Sequence, residues 1–181
     1  MSSGLLIFTL FHTALSLVGI IAGFVVVLGL LAAKPLNGWT GLFLVTTLAT
    51  SVTGFFFPFH GFTPAHGVGI VSVLVLALAI YARYIRRMAG GWRRTYVITS
   101  VIALYFNVFV LIVQAFMKVP ALEALAPTQS EPPFAIAQLA CLVLFVVLGI
   151  LAAIRFRSPM EGNLLRNKRQ GVWDGRGIDP R

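Results

Sequence analysis

The chain carries three histidines. Two of them, His60 and His66, fall in the stretch FFFPFHGFTPAHG at 55–67, between long apolar runs, and the third, His12, lies inside the first apolar run. Imidazole ligates transition metals and haem iron and exchanges protons near neutral pH, so these positions are where chemistry is to be sought first. His12 and His66, carried on different helices, are the candidate axial pair for a b-type haem, which needs one imidazole on each side of the iron. His60 and His66 are the candidate pair for a divalent metal such as zinc or copper. A quinone site, built from one histidine and aromatic walls, is equally compatible with these residues. The single cysteine, Cys141, sits within an apolar run, which leaves no disulfide framework and no cysteine-based metal knot within one chain. There is no P-loop, no GxSxG and no HExxH, and no aspartate or glutamate interrupts any apolar run. That argues against a proton-driven pump or an intramembrane protease.

The elements that must position these groups are set by hydropathy. Of 181 residues, 59% are hydrophobic and 10% charged, more apolar surface than a soluble domain of this length can bury. The expected fold is all-α, an integral membrane bundle of five transmembrane helices over residues 1–157, with spans near 5–33, 40–59, 64–88, 95–118 and 134–154. The first run is longer than the roughly 20 residues a bilayer requires, so it should tilt or protrude, and it lacks the basic flank and short core of a cleaved leader. Pro58 breaks the second run. Thr63 and Pro64 form an N-cap and first-turn proline for the third, and Gly90-Gly91 closes it. The stretch VPALEALAPTQSEPP makes a loop, with one helical turn expected at Ala121 to Leu125. Residues 158–181 are expected to form a basic, flexible tail.

Orientation is read from charge. With the connections numbered alternately, every lysine and arginine except Lys118 falls on one side, and Glu123 and Glu131 share the other side with Lys118. Basic loops stay cytoplasmic, so the amino end is expected outside and the tail inside. Trp39, Trp92 and Trp173 fall on the inner side, where indole suits the headgroup layer. The net charge of +9 is thus read as a topology signal with anionic headgroup contacts rather than as a nucleic-acid footprint.

This topology gathers all three histidines into the outer half, His12 about 10 Å below the start of its helix. On the fourth helix Ser100, Asn107 and Gln114 recur every seven residues and share a face, as do Thr46, Thr50 and Thr53 on the second. The expectation is a polar chamber bordered by His12, His66, Gln114 and Gln138, with His60, Lys118 and Glu131 near its mouth. The plainer alternative makes these amides and hydroxyls interhelical glue and His12 a satisfied core histidine. Gly19 and Gly23, spaced for close helix approach, are expected to pack within the bundle.

The stretches NGWTGLF at 37–43, ATSVTGFFFPF at 49–59 and ALYFNVFVLIVQAFMKVPAL with LAPTQSEPPF across 103–134 resemble those of small uncharacterised inner-membrane proteins of proteobacteria. The resemblance implies a bacterial inner-membrane location and no particular activity. A looser likeness joins the histidine-bearing first helix to four-helix b-type cytochromes, although the second helix has no histidine within the membrane for a second haem. The residues favour a non-enzymatic subunit or scaffold that meets a membrane protein partner. The second reading is a small redox or cofactor-binding protein with a haem, metal or quinone site in the outer half.

Overall fold

The computed structural model describes residues 3–57 and 64–156. Among these residues six helices succeed one another: α1 (Ser3–Leu31), α2 (Asn37–Gly54), α3 (Pro64–Ile80), α4 (Trp92–Lys118), the single turn α5 (Pro120–Glu123) and α6 (Pro132–Arg155). A π-helical turn, Tyr81–Ile85, prolongs α3. No strand occurs among the described residues. α1, α3 with its π-helical turn, α4 and α6 are long and apolar enough to cross a membrane. α2 is not, because its 18 residues are diluted by Thr40, Thr46, Thr47, Thr50 and Thr53.

α1 to α4 form an antiparallel ring in which each helix packs on the next and α4 closes back onto α1, while α6 lies outside in the groove between α4 and α1. α4 is therefore the hub. Its inward face buries Tyr96, Val97, Ser100, Val101, Leu104 and Asn107, a run at helical spacing. Around it close Ala22 and Val26 of α1, Phe43 of α2, Leu76 and Ala79 of α3 and Phe145 of α6. The outer surface is as apolar as the core. Ile7, Leu28, Val45, Leu74, Ile136 and Ile154, spread over α1, α2, α3 and α6, are between 63% and 69% exposed. A water-facing surface would not carry such a belt, and a lipid-facing one requires it.

Close approach between helices relies on glycine at two points of α1. A Cβ on Gly19 would lie 3.2 Å from the hydroxyls of both Thr46 and Thr47, and one on Gly23 would lie 2.6 Å from Leu104 Cδ1 and 2.9 Å from Phe43 Cε2. The small-residue pair thus packs inside the bundle, against α2 and α4. α1 ends where Ala33 turns left-handed and the Lys34 amide reaches back to the Gly29 carbonyl at 2.8 Å, a Schellman closure made without glycine.

Several element bounds differ from expectation. α2 stops at Gly54 and gives way to a turn through Phe57, short of the run's end at 59. The apolar run overreached because Phe55–Phe57 continue the hydrophobicity without continuing the helix. α3 becomes π-helical at Tyr81, and Arg87 and Met88 turn left-handed. The expected helical turn near 121–125 is α5, opened by Pro120. Arg83, counted among loop arginines, is buried at 8% exposure; it donates to Asn37 Oδ1 at 2.8 Å and lies over the Tyr96 ring at 5.0 Å. Thr63, His60 and the tail at 158–181 lie outside the described residues.

Before α6, Glu131 folds back on its own loop. Its carboxylate accepts from the Thr128 hydroxyl at 2.8 Å and from the amides of Thr128 and Ser130 at 3.2 and 3.1 Å. The Thr128 hydroxyl, with the backbone amides, holds this carboxyl below the usual carboxylate range.

Two outcomes are expected. Gly23→Ala should destabilise the bundle by about 1–3 kcal/mol, since Leu104 and Phe43 are too enclosed to yield; Gly41→Ala, where a Cβ meets nothing within 4 Å, should not. Thermal unfolding in detergent compares them. Because the Glu131 carboxyl is lowered on folding, its support for the loop is present above the ordinary carboxylate range and lost as pH falls through the lowered value. Exchange protection of the Thr128 and Ser130 amides should fall over that acidic window, and Glu131→Gln should abolish the pH dependence.

Candidate functional site

The sequence of α2 decides where the ring is polar. Threonine and serine hydroxyls in a helix usually bond the carbonyl one turn back. Thr46, Ser51 and Thr53 do so, at 2.7, 2.9 and 2.7 Å, to Leu42, Thr47 and Ala49. Thr50 does not: its Oγ1 is buried and has no hydrogen-bond partner among the described residues. Across the ring, Asn107 Nδ2 donates to Thr47 Oγ1 at 3.2 Å, and nearer the arginine-rich end Tyr96 donates to Thr40 at 3.4 Å. These diagonal bonds tie α4 to α2 through the middle of the bundle.

Beyond the Asn107–Thr47 bond, on the side away from Arg83 and Arg93, the ring opens into a cavity of about 350 Å³. His12, Thr50, His66 and Asn107 are among its polar groups, and Phe55, Phe57 and Phe106 are its aromatic walls. The two histidines singled out by type and by depth thus share one chamber. His12 Nδ1 lies 2.9 Å from Thr53 Oγ1. With the Thr53 hydroxyl proton on the Ala49 carbonyl, Nδ1 is the donor in this pair and Nε2 carries the lone pair. The edge of the His12 ring meets Phe57 at 5.1 Å, and the His66 ring is 6.3 Å from Phe55. Phe55 in turn seats on Gly69, where a Cβ would lie 3.0 Å from its Cζ.

Gln114 and Gln138 are not among the residues lining this cavity. Gln114 is exposed. A seven-residue repeat drifts by about 20° per heptad on a straight helix, so two heptads after Ser100 the stripe has rotated by about 40°, towards the edge of the inward face. Gln138 instead spans α6 and α4, its amide donating to the Phe109 carbonyl at 3.3 Å while its Oε1 is buried without a partner among the described residues. Glu131 is engaged with Thr128 and Ser130. His60 lies outside the described residues, and among these no group of three or more metal-ligating side chains gathers. Ser16, one turn along α1 from His12, and Ser72 of α3 also line the cavity. The spacing of Ser16 from His12 was the available signal for the first, whereas Ser72 has no polar partner at helical spacing that would mark it.

The arrangement offers an acceptor at His12 Nε2, a donor at the Thr50 hydroxyl and flat apolar walls. That suits a small ring bearing hydroxyl or carbonyl oxygens. A haem would use the same His12 nitrogen, with Thr53 orienting the ring, and would take His66 as its second ligand. The volume, at the lower end of the roughly 300–1,000 Å³ typical of small-molecule sites, fits the smaller ring better. No known protein family, curated protein or solved structure matches this chain.

Thr53→Val should free the His12 imidazole to turn while leaving α2 intact. The expected result is a second His12 ring environment in NMR spectra of imidazole-labelled protein, with a loss of stability of about 0.6–1.7 kcal/mol. An unchanged His12 signal would show that Thr53 does not orient it.

Proposed function

We propose that the chain is a multi-pass protein of a bacterial inner membrane, crossing five times with its amino end outside, and that its outer-half cavity binds the headgroup of a membrane quinone or quinol. Five crossings are supported by α2 running antiparallel between α1 and α3 and presenting Val45 on its outer side, even though on its own it is the least apolar of these rods. The positive-inside rule then sets the direction, since Arg83, Arg86, Arg87, Arg93, Arg94 and Arg155 collect at one end of the bundle.

The observation that carries the binding role is Thr50. A hydroxyl enclosed in a membrane bundle normally satisfies itself on its own helix, and this one does not, while it lines the cavity that holds His12. A quinone carbonyl accepts from Thr50; a quinol hydroxyl also donates to His12 Nε2. The chain's own part is to hold the ring between Phe55, Phe57 and Phe106 and to offer these two partners. A scaffold role in a membrane assembly is the second reading. It is favoured by α6, whose lipid-side face, with Ile136, Leu139, Val143, Ile150 and Ile154, is largely uncovered.

Thr50→Val tests the binding role because it separates the two readings by sign. If the hydroxyl is idle, removing an unpaired buried donor leaves stability unchanged or raises it, and quinone has no effect on either protein. If it is a ligand contact, a short-chain quinone raises the melting temperature of the native chain in detergent, and Thr50→Val weakens binding by about tenfold, as expected for one hydrogen bond. A Soret band on the purified protein that vanishes in His12→Ala would replace quinone by haem.

A further inference from the structure

A second concavity lies at the opposite end, between α4 and α6. It has a volume of about 640 Å³ and is walled by apolar side chains such as Val101, Tyr105 and Phe145, with Gly149 on its floor and Arg93 and Arg94 at its mouth. We propose that this groove is a specific site for one anionic phospholipid, its phosphate held by Arg93 and Arg94 and one acyl chain laid along the groove.

Three features carry the inference. The first is charge: the Arg94 side chain is exposed, and Arg93 is fixed over the last turn of α6 by donating to the Ala153 carbonyl at 3.3 Å. The only carboxylates among the described residues, Glu123 and Glu131, sit at the other end of α4. Two neighbouring guanidiniums, one of them held in place, are suited to phosphate, which they bind with several parallel hydrogen bonds. The second is length. From Arg93 to Tyr105 the groove runs along α4 for about 18 Å at 1.5 Å per residue, close to the roughly 15 Å of one hydrocarbon leaflet. The third is shape: Gly149 lines the groove without a side chain, and although a Cβ there would only touch Val101 Cγ1, at 3.5 Å, a longer side chain would occupy the space an acyl chain needs. Basic pockets between membrane helices on the cytoplasmic side recognise anionic headgroups by this combination.

The inference rests on the membrane reading above, and the test keeps the two apart. The full-length chain in detergent micelles is titrated, under native mass spectrometry, with phosphatidylglycerol and with phosphatidylcholine of the same acyl chains. Phosphatidylglycerol is expected to bind about tenfold more tightly, Arg93→Gln with Arg94→Gln to bring the two lipids to parity, and Gly149→Leu to weaken both. Arg94→Gln alone, at an exposed side chain, should lose part of the preference without risk to folding. Equal affinities in the native chain, or a preference that survives the arginine changes, overturns the proposal, as does a dimer that Gly149→Leu dissolves, which would give the groove to a second copy. Release of the chain from membranes by alkaline carbonate would instead overturn the membrane reading itself.

Discussion

When the outside of a bundle is as apolar as its inside, hydrophobicity cannot decide which face of a helix turns inward. In this chain that decision falls to a few hydroxyls and amides. Asn107 reaches Thr47 and Tyr96 reaches Thr40 across the ring, and Arg83 ties the end of α3 to the first residue of α2. Each such bond is individually modest, since the alternative in lipid is another polar partner rather than water. Together they fix the rotation of α4 about its axis. Its apolar contacts with α1, α3 and α6 are set by that rotation, and the glycines of α1 allow the approach that makes those contacts dense.

The same economy explains why the two concavities differ. The cavity beside His12 is walled by polar groups of α1, α2, α3 and α4, joined across the ring by the His12–Thr53 and Asn107–Thr47 bonds; of the two buried hydroxyls without a partner among the described residues, Ser100 and Thr50, the one at Thr50 lines the cavity, and there a guest can join that network. The groove beside Gly149 lies between α4 and α6, outside the ring, where almost nothing polar is present until the arginines at its end. One suits a ring with oxygens, the other a chain with a charged head.

Much of this was legible in the sequence. Apolar run length gave the long helices, and the seven-residue spacing of Ser100 and Asn107 named the inward face of α4, because both periodicities are local. The shared surroundings of His12 and His66 came from counting alternations of direction. Three things were not legible. The end of α2 was masked by Phe55–Phe57, which prolong the hydrophobicity after the helix has stopped. The drift of Gln114 towards the edge of the inward face is angular and slow, and a repeat written in letters conceals it. The inward course of Arg83 depends on Asn37, a partner 46 residues away on another helix, for which one sequence offers no sign.

With α3 counted together with its π-helical turn, α2 is the shortest of the five long rods, 18 residues against 29 in α1 and 27 in α4. At 1.5 Å per residue it falls about 16 Å short of α1. With its base clasped by Arg83, that shortfall is not shared between its two ends, and it becomes a notch at one of them. Thr50, Ser51 and Gly54 from the last turn of α2, with Phe55 and Phe57 just past it, line that notch. The depth of the chamber is therefore governed by where one helix stops. Trimming α2 by a turn would widen the chamber and take away Thr53, the partner of His12, while leaving Asn107 of α4 on its bond to Thr47.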